Sequence, residues 1–114
     1  MFLGRVIGTV WATRKEPLME GLKLQIVREV DLDLHPQSRF VVAADIVQAG
    51  VGEIVLVSQG SAARQSPEVE GKPVDALIMA VVDNLEARDP QELEASYAAR
   101  RDPLLAELSE QPEN

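Results

Sequence analysis

His35 is the only histidine of this chain, and Asp31 and Asp33 stand four and two residues before it. An imidazole beside two carboxylates could bind a metal or pass a proton, but coordination needs further ligands at matching spacing, and none accompany it. Set next to Pro36 in a polar stretch, His35 reads as a solvated loop residue. Asp45, Glu53, Asp75 and Asp83 sit at the ends of apolar runs, where two carboxylates could share a site. Capping of turns, or pairing with Arg5, Arg39 or Arg64, accounts for them more simply. Ser58 and Ser61 flank Gly60 but lack the strand-to-helix elbow of a serine nucleophile, and the single histidine is far off in sequence. Gly50-Val51-Gly52 is followed by no Lys-Ser/Thr pair and joins two strand-like runs, so it is no phosphate loop. With no cysteine in the chain, thiol catalysis, thiolate metal sites and disulfides are excluded. The expectation is a protein that is not an enzyme and holds neither a cofactor nor a metal.

The elements that would carry these residues are strands. From Phe2 to about Ala12, Val6, Gly8 and Val10 alternate with Arg5, Ile7, Thr9 and Trp11. That period of two, among β-branched residues, predicts the first strand. Lys15-Glu16-Pro17 and Gly21 interrupt it, and Leu22, Leu24 and Ile26 alternate with Lys23, Gln25 and Val27 to Val30 as a second. A polar loop over 31–38 leads into Phe40-Val41-Val42-Ala43-Ala44, and Ile54 to Val57 and Ala76 to Val82 are likewise unbroken apolar runs. Such runs read as strands buried on both faces. Ser61 to Arg64 fits one helical turn, and the polar stretch 65–73, with Pro67, Gly71 and Pro73, reads as a loop projecting outward. Five short strands without βαβ alternation predict a mainly β fold, a small barrel or sandwich. A small barrel has one interior, so its second apolar face needs a cover: the chain's own tail or a neighbouring subunit.

The 114 residues suffice for one domain and a modest core, which makes stabilisation by association natural. A net charge of −8 and only four aromatic residues, Phe2, Trp11, Phe40 and Tyr97, oppose nucleic-acid binding, which draws on Lys and Arg and on stacking platforms. No run approaches a membrane span and the first residues do not form a signal peptide, so the expected location is cytoplasmic. Residues 1–84 hold 8 basic and 11 acidic side chains, against 3 and 8 in residues 85–114. We therefore expect a barrel domain over 1–84 and an acidic extension over 85–114. In the extension, Asp89-Pro90-Gln91-Glu92 predicts a helix to about Arg100, with Leu93 and Tyr97 on one stripe. Asp102-Pro103 starts a second turn bearing Leu104, Leu105 and Leu108, before a disordered end.

Four segments, in order, resemble the vertex proteins of bacterial microcompartments, the ethanolamine-utilisation and carboxysome pentamers. They are Gly4-Arg5-Val6-Ile7-Gly8-Thr9-Val10-Trp11-Ala12-Thr13-Arg14-Lys15, Gly21 to Leu24, Ala44 to Val57 followed by Gly60 to Arg64, and Pro73 to Asp83. The resemblance spans about residues 2–84. It implies an oligonucleotide-binding-like five-stranded barrel and a homopentamer at the fivefold corners of a shell tiled by hexameric shell proteins, while composition leads us to expect no nucleic acid or membrane partner. It further implies subunit contacts or the central axis near Asp45, Gln48, Ala49 and Gly50, and near Gly60, Ser61, Ala62, Ala63 and Arg64. On that placement Ala63→Glu is expected to weaken assembly by burying an unpaired charge. Gln48 and Ala80 stand where the family usually has glycine. A binding module for nucleic acid or a protein partner, built on the same barrel, is the competing reading.

Overall fold

The structure, a computed structural model, describes residues 1–87 together with Gln91, Glu94, Ala95 and Ala98. Among the described residues five strands form: β1 (Phe2–Val10), β2 (Lys23–Val30), β3 (Pro36–Asp45), β4 (Ile54–Gln59) and β5 (Ala76–Val81). Two short 3₁₀ helices accompany them, Pro17–Met19 and Gly60–Gln65. The strands close into a barrel in the order β1-β2-β3-β5-β4, with β4 returning to β1. β3 and β5 run parallel and the other pairs antiparallel. Of the barrel or sandwich that the five short runs predict, it is the five-stranded barrel that the resemblance implies.

The interior is filled by Val6, Val27, Ala43, Val55, Val57, Ala76 and Ile78, with Ala49 reaching in from the loop after β3. Gly4 lets β1 approach β2 closely, because a Cβ there would lie 2.3 Å from Val27 Cγ1. Along β1 the alternation breaks where the pairing shifts between Val6 and Gly8. Ile7 faces solvent, and the shift turns Gly8 outward beside Ile26 and brings Thr9 inward beside Gln25. In β2 the inward residues are Gln25 and Val27, so Leu24 and Ile26, the more apolar set in the sequence, lie on the outside.

β3 begins at Pro36, not near Phe40. Val30 pairs with Pro36 across a register shift, the Arg28 guanidinium donates to the Gln37 carbonyl at 2.9 Å, and these bonds extend the ladder into the polar stretch. Proline is tolerated there because it opens the strand. Nor is β3 buried on both faces: Phe40 is 59% and Val42 45% exposed. The segment 65–73 also departs from expectation. Two turns, Val69 N–H to Ser66 O and Lys72 N–H to Val69 O, fold it back so that Val69 is fully buried.

Val69 belongs to a second apolar cluster outside the barrel, with Ala44, Ala63, Val74 and Leu77, bordered by Met19, Leu22, Leu24 and Ile46. The Gly60–Gln65 helix and the 66–74 segment thus cover part of the barrel exterior with the chain itself, a cover that the sequence assigned to the tail or to neighbours. In the predicted tail helix the described residues Gln91, Glu94, Ala95 and Ala98 are helical. The predicted turn at 104–108 and the expected disordered end lie outside the described residues.

Candidate functional site: a latched loop and a bare outer face

The loop after β3 is built on Asp45, whose side chain is wholly buried. Asp45 Oδ1 accepts the Val47 N–H at 3.0 Å, and Oδ2 accepts the Ala49 N–H at 2.9 Å. Gln25 Nε2 donates both to Asp45 Oδ2 and to the Ala49 carbonyl, and Thr9 Oγ1 donates to Gln25 Oε1 at 2.7 Å. A carboxylate removed from water is tolerated when its oxygens are satisfied in this way. Lys23 Nζ, 4.0 Å away and half exposed, adds a peripheral charge. Beyond this latch, Gln48 projects into solvent with a φ of 57°, the left-handed region in which glycine is unstrained, which gives a physical reason for glycine at this place in the family. Glu53 then accepts the Gly50 N–H, while Gly52 N–H bonds Val6 O and Arg5 Nη1 bonds Gly52 O, tying the end of the loop to β1.

The second predicted segment lies along the Gly60–Gln65 helix. Gly60, Ser61, Ala62 and Arg64 are exposed, whereas Ala63 is fully buried against the chain's own second cluster. Arg64 Nη1 makes one long bond, 3.5 Å, to the Val74 carbonyl. The expected arginine–carboxylate pairs at strand ends are not those observed. Arg5 goes to a carbonyl, and Arg39 pairs with Glu29 at 3.7 Å, lies 5.0 Å over the Phe2 ring and also reaches Gln59. Asp45 and Glu53 do cap turns.

Two features take their place only in the fold. One is Gln25, a polar residue on the inward face of β2, legible only once the strand's phase is known. The other is a bare apolar strip outside β1, β2 and β3. Register places Gly8 beside Ile26, Ile26 beside Val42 and Arg28 beside Phe40, and Ile7 at the bulge adjoins them. A smaller strip lies outside β1, β4 and β5, where Leu3 pairs with Leu56 and Leu56 with Ala80, beside the 44% exposed Met79. The strip signals are the consecutive apolar residues, which show that two faces are apolar without showing which stays open.

Asp31, Asp33 and His35 do come together, with one ligand atom of each within 4.8 Å of the others. Their bonding is that of a turn. Asp31 Oδ1 accepts the Asp33 and His35 N–H groups, and the donation from His35 N–H holds the Asp31 carboxyl below its ordinary range, with Asp33 adding to it. Ser66 likewise lowers Glu68. Ser58 is buried in β4 and Ser61 exposed, and the chain's one histidine, His35, lies 3.6 Å from Asp31 in its turn. Among the described residues no helix is long and apolar enough to cross a membrane.

A closed small barrel with a latched loop, short side chains on an external helix and uncovered apolar strips defines a protein built to associate. The family model described as ethanolamine utilisation protein EutN/carboxysome matches residues 1–83, and the chain belongs to that family. The carboxysome shell vertex protein CcmL of Gloeobacter violaceus is 45% identical over 85 residues, covering 75% of this chain and 85% of that protein. The microcompartment shell vertex protein GrpN of Rhodospirillum rubrum is 44% identical over 86 residues, 75% of this chain and 97% of that one. The solved structure of GrpN, a pentameric microcompartment shell protein, superposes with a TM-score of 0.71 at 43% identity, covering 77% of this chain and all of that one.

Proposed function

We propose that this chain is a structural subunit of a bacterial microcompartment shell, in which five copies close a ring at each vertex, bordered by hexameric shell proteins, and that it catalyses no reaction. The observation that carries this reading is the bare strip of Ile7, Ile26, Phe40 and Val42, with a smaller one at Leu3, Leu56 and Met79, on a barrel that the chain itself covers only around Ala44 and Leu77. Two different apolar strips on one subunit suit a head-to-tail contact, in which one surface meets the other on the next copy and rotation closes the ring. Fixed backbone geometry serves such a ring. The Asp45 latch holds Gln48, Ala49 and Gly50 in one conformation, and buried Ala63 anchors Gly60, Ser61, Ala62 and Arg64 at the surface, so both segments can meet a neighbour or line the axis without reorganising.

The test is the mass of the purified protein in solution, by native mass spectrometry or light scattering after size exclusion. The expected result is one species at five times the 12.5 kDa chain mass. A stable monomer with the same spectrum of secondary structure would overturn the ring.

A further inference from the structure

A groove of about 370 Å³ opens where β4 begins and β5 ends, with apolar walls of Leu32, Leu34, Ile54, Val82 and Leu85. Asp33 and Asp83 edge it, both exposed, and Asp31 stands in the adjoining turn. Its volume is at the low end of the roughly 300–1,000 Å³ that binding pockets span, room for one large side chain. An apolar pocket with an acidic rim suits an apolar group that carries cations beside it. Elsewhere on the surface, Trp11 follows the last residue of β1 and is 89% exposed, the most exposed large hydrophobic residue among those described. Arg14 and Lys15 stand three and four residues after it, exposed and, among the described residues, in no ion pair. We infer that the groove is the seat of Trp11 from a second copy of this chain, with that copy's Arg14 and Lys15 set against Asp33 and Asp83.

Placement agrees with charge. Ile54 and Val82 continue the smaller apolar strip: Leu56 pairs with Ala80, and two residues further along the same face the Val82 N–H donates to the Ile54 carbonyl at 2.8 Å. Trp11 belongs with the larger strip, since it extends β1 beyond Ile7 and Gly8, and Gly8 pairs with Ile26. A head-to-tail contact that lays the larger strip of one copy on the smaller strip of the next brings Trp11 and the neighbour's groove to one seam. The exposure of Trp11 shows that its own groove does not hold it, so the indole comes from another copy. Glu16, the carboxylate next to Lys15, is held as the cap of the Pro17–Met19 helix, where it accepts the Leu18 N–H at 2.7 Å. Tryptophan and arginine are residue types that commonly anchor such contacts: a large rigid ring leaves water at small entropic cost, and a guanidinium grips carboxylates with a planar fork. The inference rests on the ring reading for its second copy and adds a contact that neither strip supplies.

Trp11 is the only tryptophan of the chain, so its emission reports this contact alone. In the five-chain species the emission maximum should lie at the short wavelength of a buried indole, and acrylamide quenching should be several-fold weaker than for tryptophan amide in the same buffer. In parallel, Ala12→Cys with Asn84→Cys puts two thiols, one beside Trp11 and one on the groove wall, into a chain that has none. Both positions are exposed, and the residues of the contact stay in place. A short bis-maleimide should then join neighbours in a ladder of denatured bands that runs from two chains to five. Native mass of each sample reads the ring separately. A five-chain species whose Trp11 is quenched as freely as tryptophan amide, or one that gives no linked bands, would overturn the inference and leave the ring standing. A bridge confined to one chain would overturn it as well, by placing Trp11 at its own groove. A monomeric protein would remove both readings together.

Discussion

Two apolar parts of the barrel exterior are treated differently by the chain. Ala44 and Leu77, on β3 and β5, disappear beneath Ala63, Val69 and Val74 of the 60–74 segment. Ile26 and Val42, on adjacent strands and paired with one another, stay at the surface with Ile7 and Phe40. Composition does not separate the two; both are aliphatic strand residues on the outer face. What separates them is the path of the β4–β5 connection, which covers one and cannot reach the other. An apolar face with a cover in the same chain contributes to folding, and one without it is left to contribute to association.

Substitutions in the two halves should therefore have opposite signatures. The largest effect on the folded chain is expected for Ala63→Glu, which puts an unpaired carboxylate where no water reaches. A loss of about 3 kcal/mol or more follows, read as a fall in the denaturation midpoint. Association is lost with the fold and not before it, so this residue, chosen from sequence as an assembly probe, tests the covered half. If Ala63→Glu unfolds like the parent, the second cluster is wrongly drawn.

Next comes the latch beside the covered half. Asp45→Ala removes the acceptor of two backbone N–H groups and of the Gln25 amide, and a cost of about 2–3 kcal/mol is expected. Amide exchange at Val47 and Ala49 should rise with it, whereas unchanged exchange there would show that the loop is held by something else.

A smaller change of opposite sign is expected at Gln48→Gly. Relief of the left-handed backbone outweighs the added freedom of the unfolded chain, for a net gain of about 0.5–1 kcal/mol in chemical denaturation. A loss instead would mean that the glutamine side chain has a partner of its own in the assembled ring.

The smallest effect on the fold and the sharpest test of the comparison is Val42→Glu in the bare half. Unfolding of the separated chain should shift by no more than about 0.5 kcal/mol, as for other exposed positions. The same substitution should convert the five-chain species into monomers by native mass spectrometry. A variant that still forms the ring would show that the ring contact lies elsewhere on the barrel.

Much of this was written in the residue order. Period-two and unbroken apolar runs located all five strands, Ser61 to Arg64 announced a helical turn, and the order of four segments identified the family. Local signals suffice for these because strand propensity, turn chemistry and ligand spacing depend on near neighbours.

Only the tertiary structure decided which apolar face is inside. The phase of β2 sends Gln25 inward and Ile26 outward, the bulge after Val6 brings Thr9 inward beside Gln25, and a shift of one residue exchanges the two faces of a strand. The Asp45 latch was equally out of reach of the sequence, since Thr9, Gln25 and Ala49 meet only when β1, β2 and the loop after β3 are brought together. The polar segment 65–73 looked like a free loop because one valine among polar residues carries little signal, and its burial depends on the shape of the surface it meets. Sequence alone thus determined that this chain has more apolar strand surface than one small core can hide. Its fold decided which part remains for a partner, because cover is a property of where segments far apart in the chain come to lie.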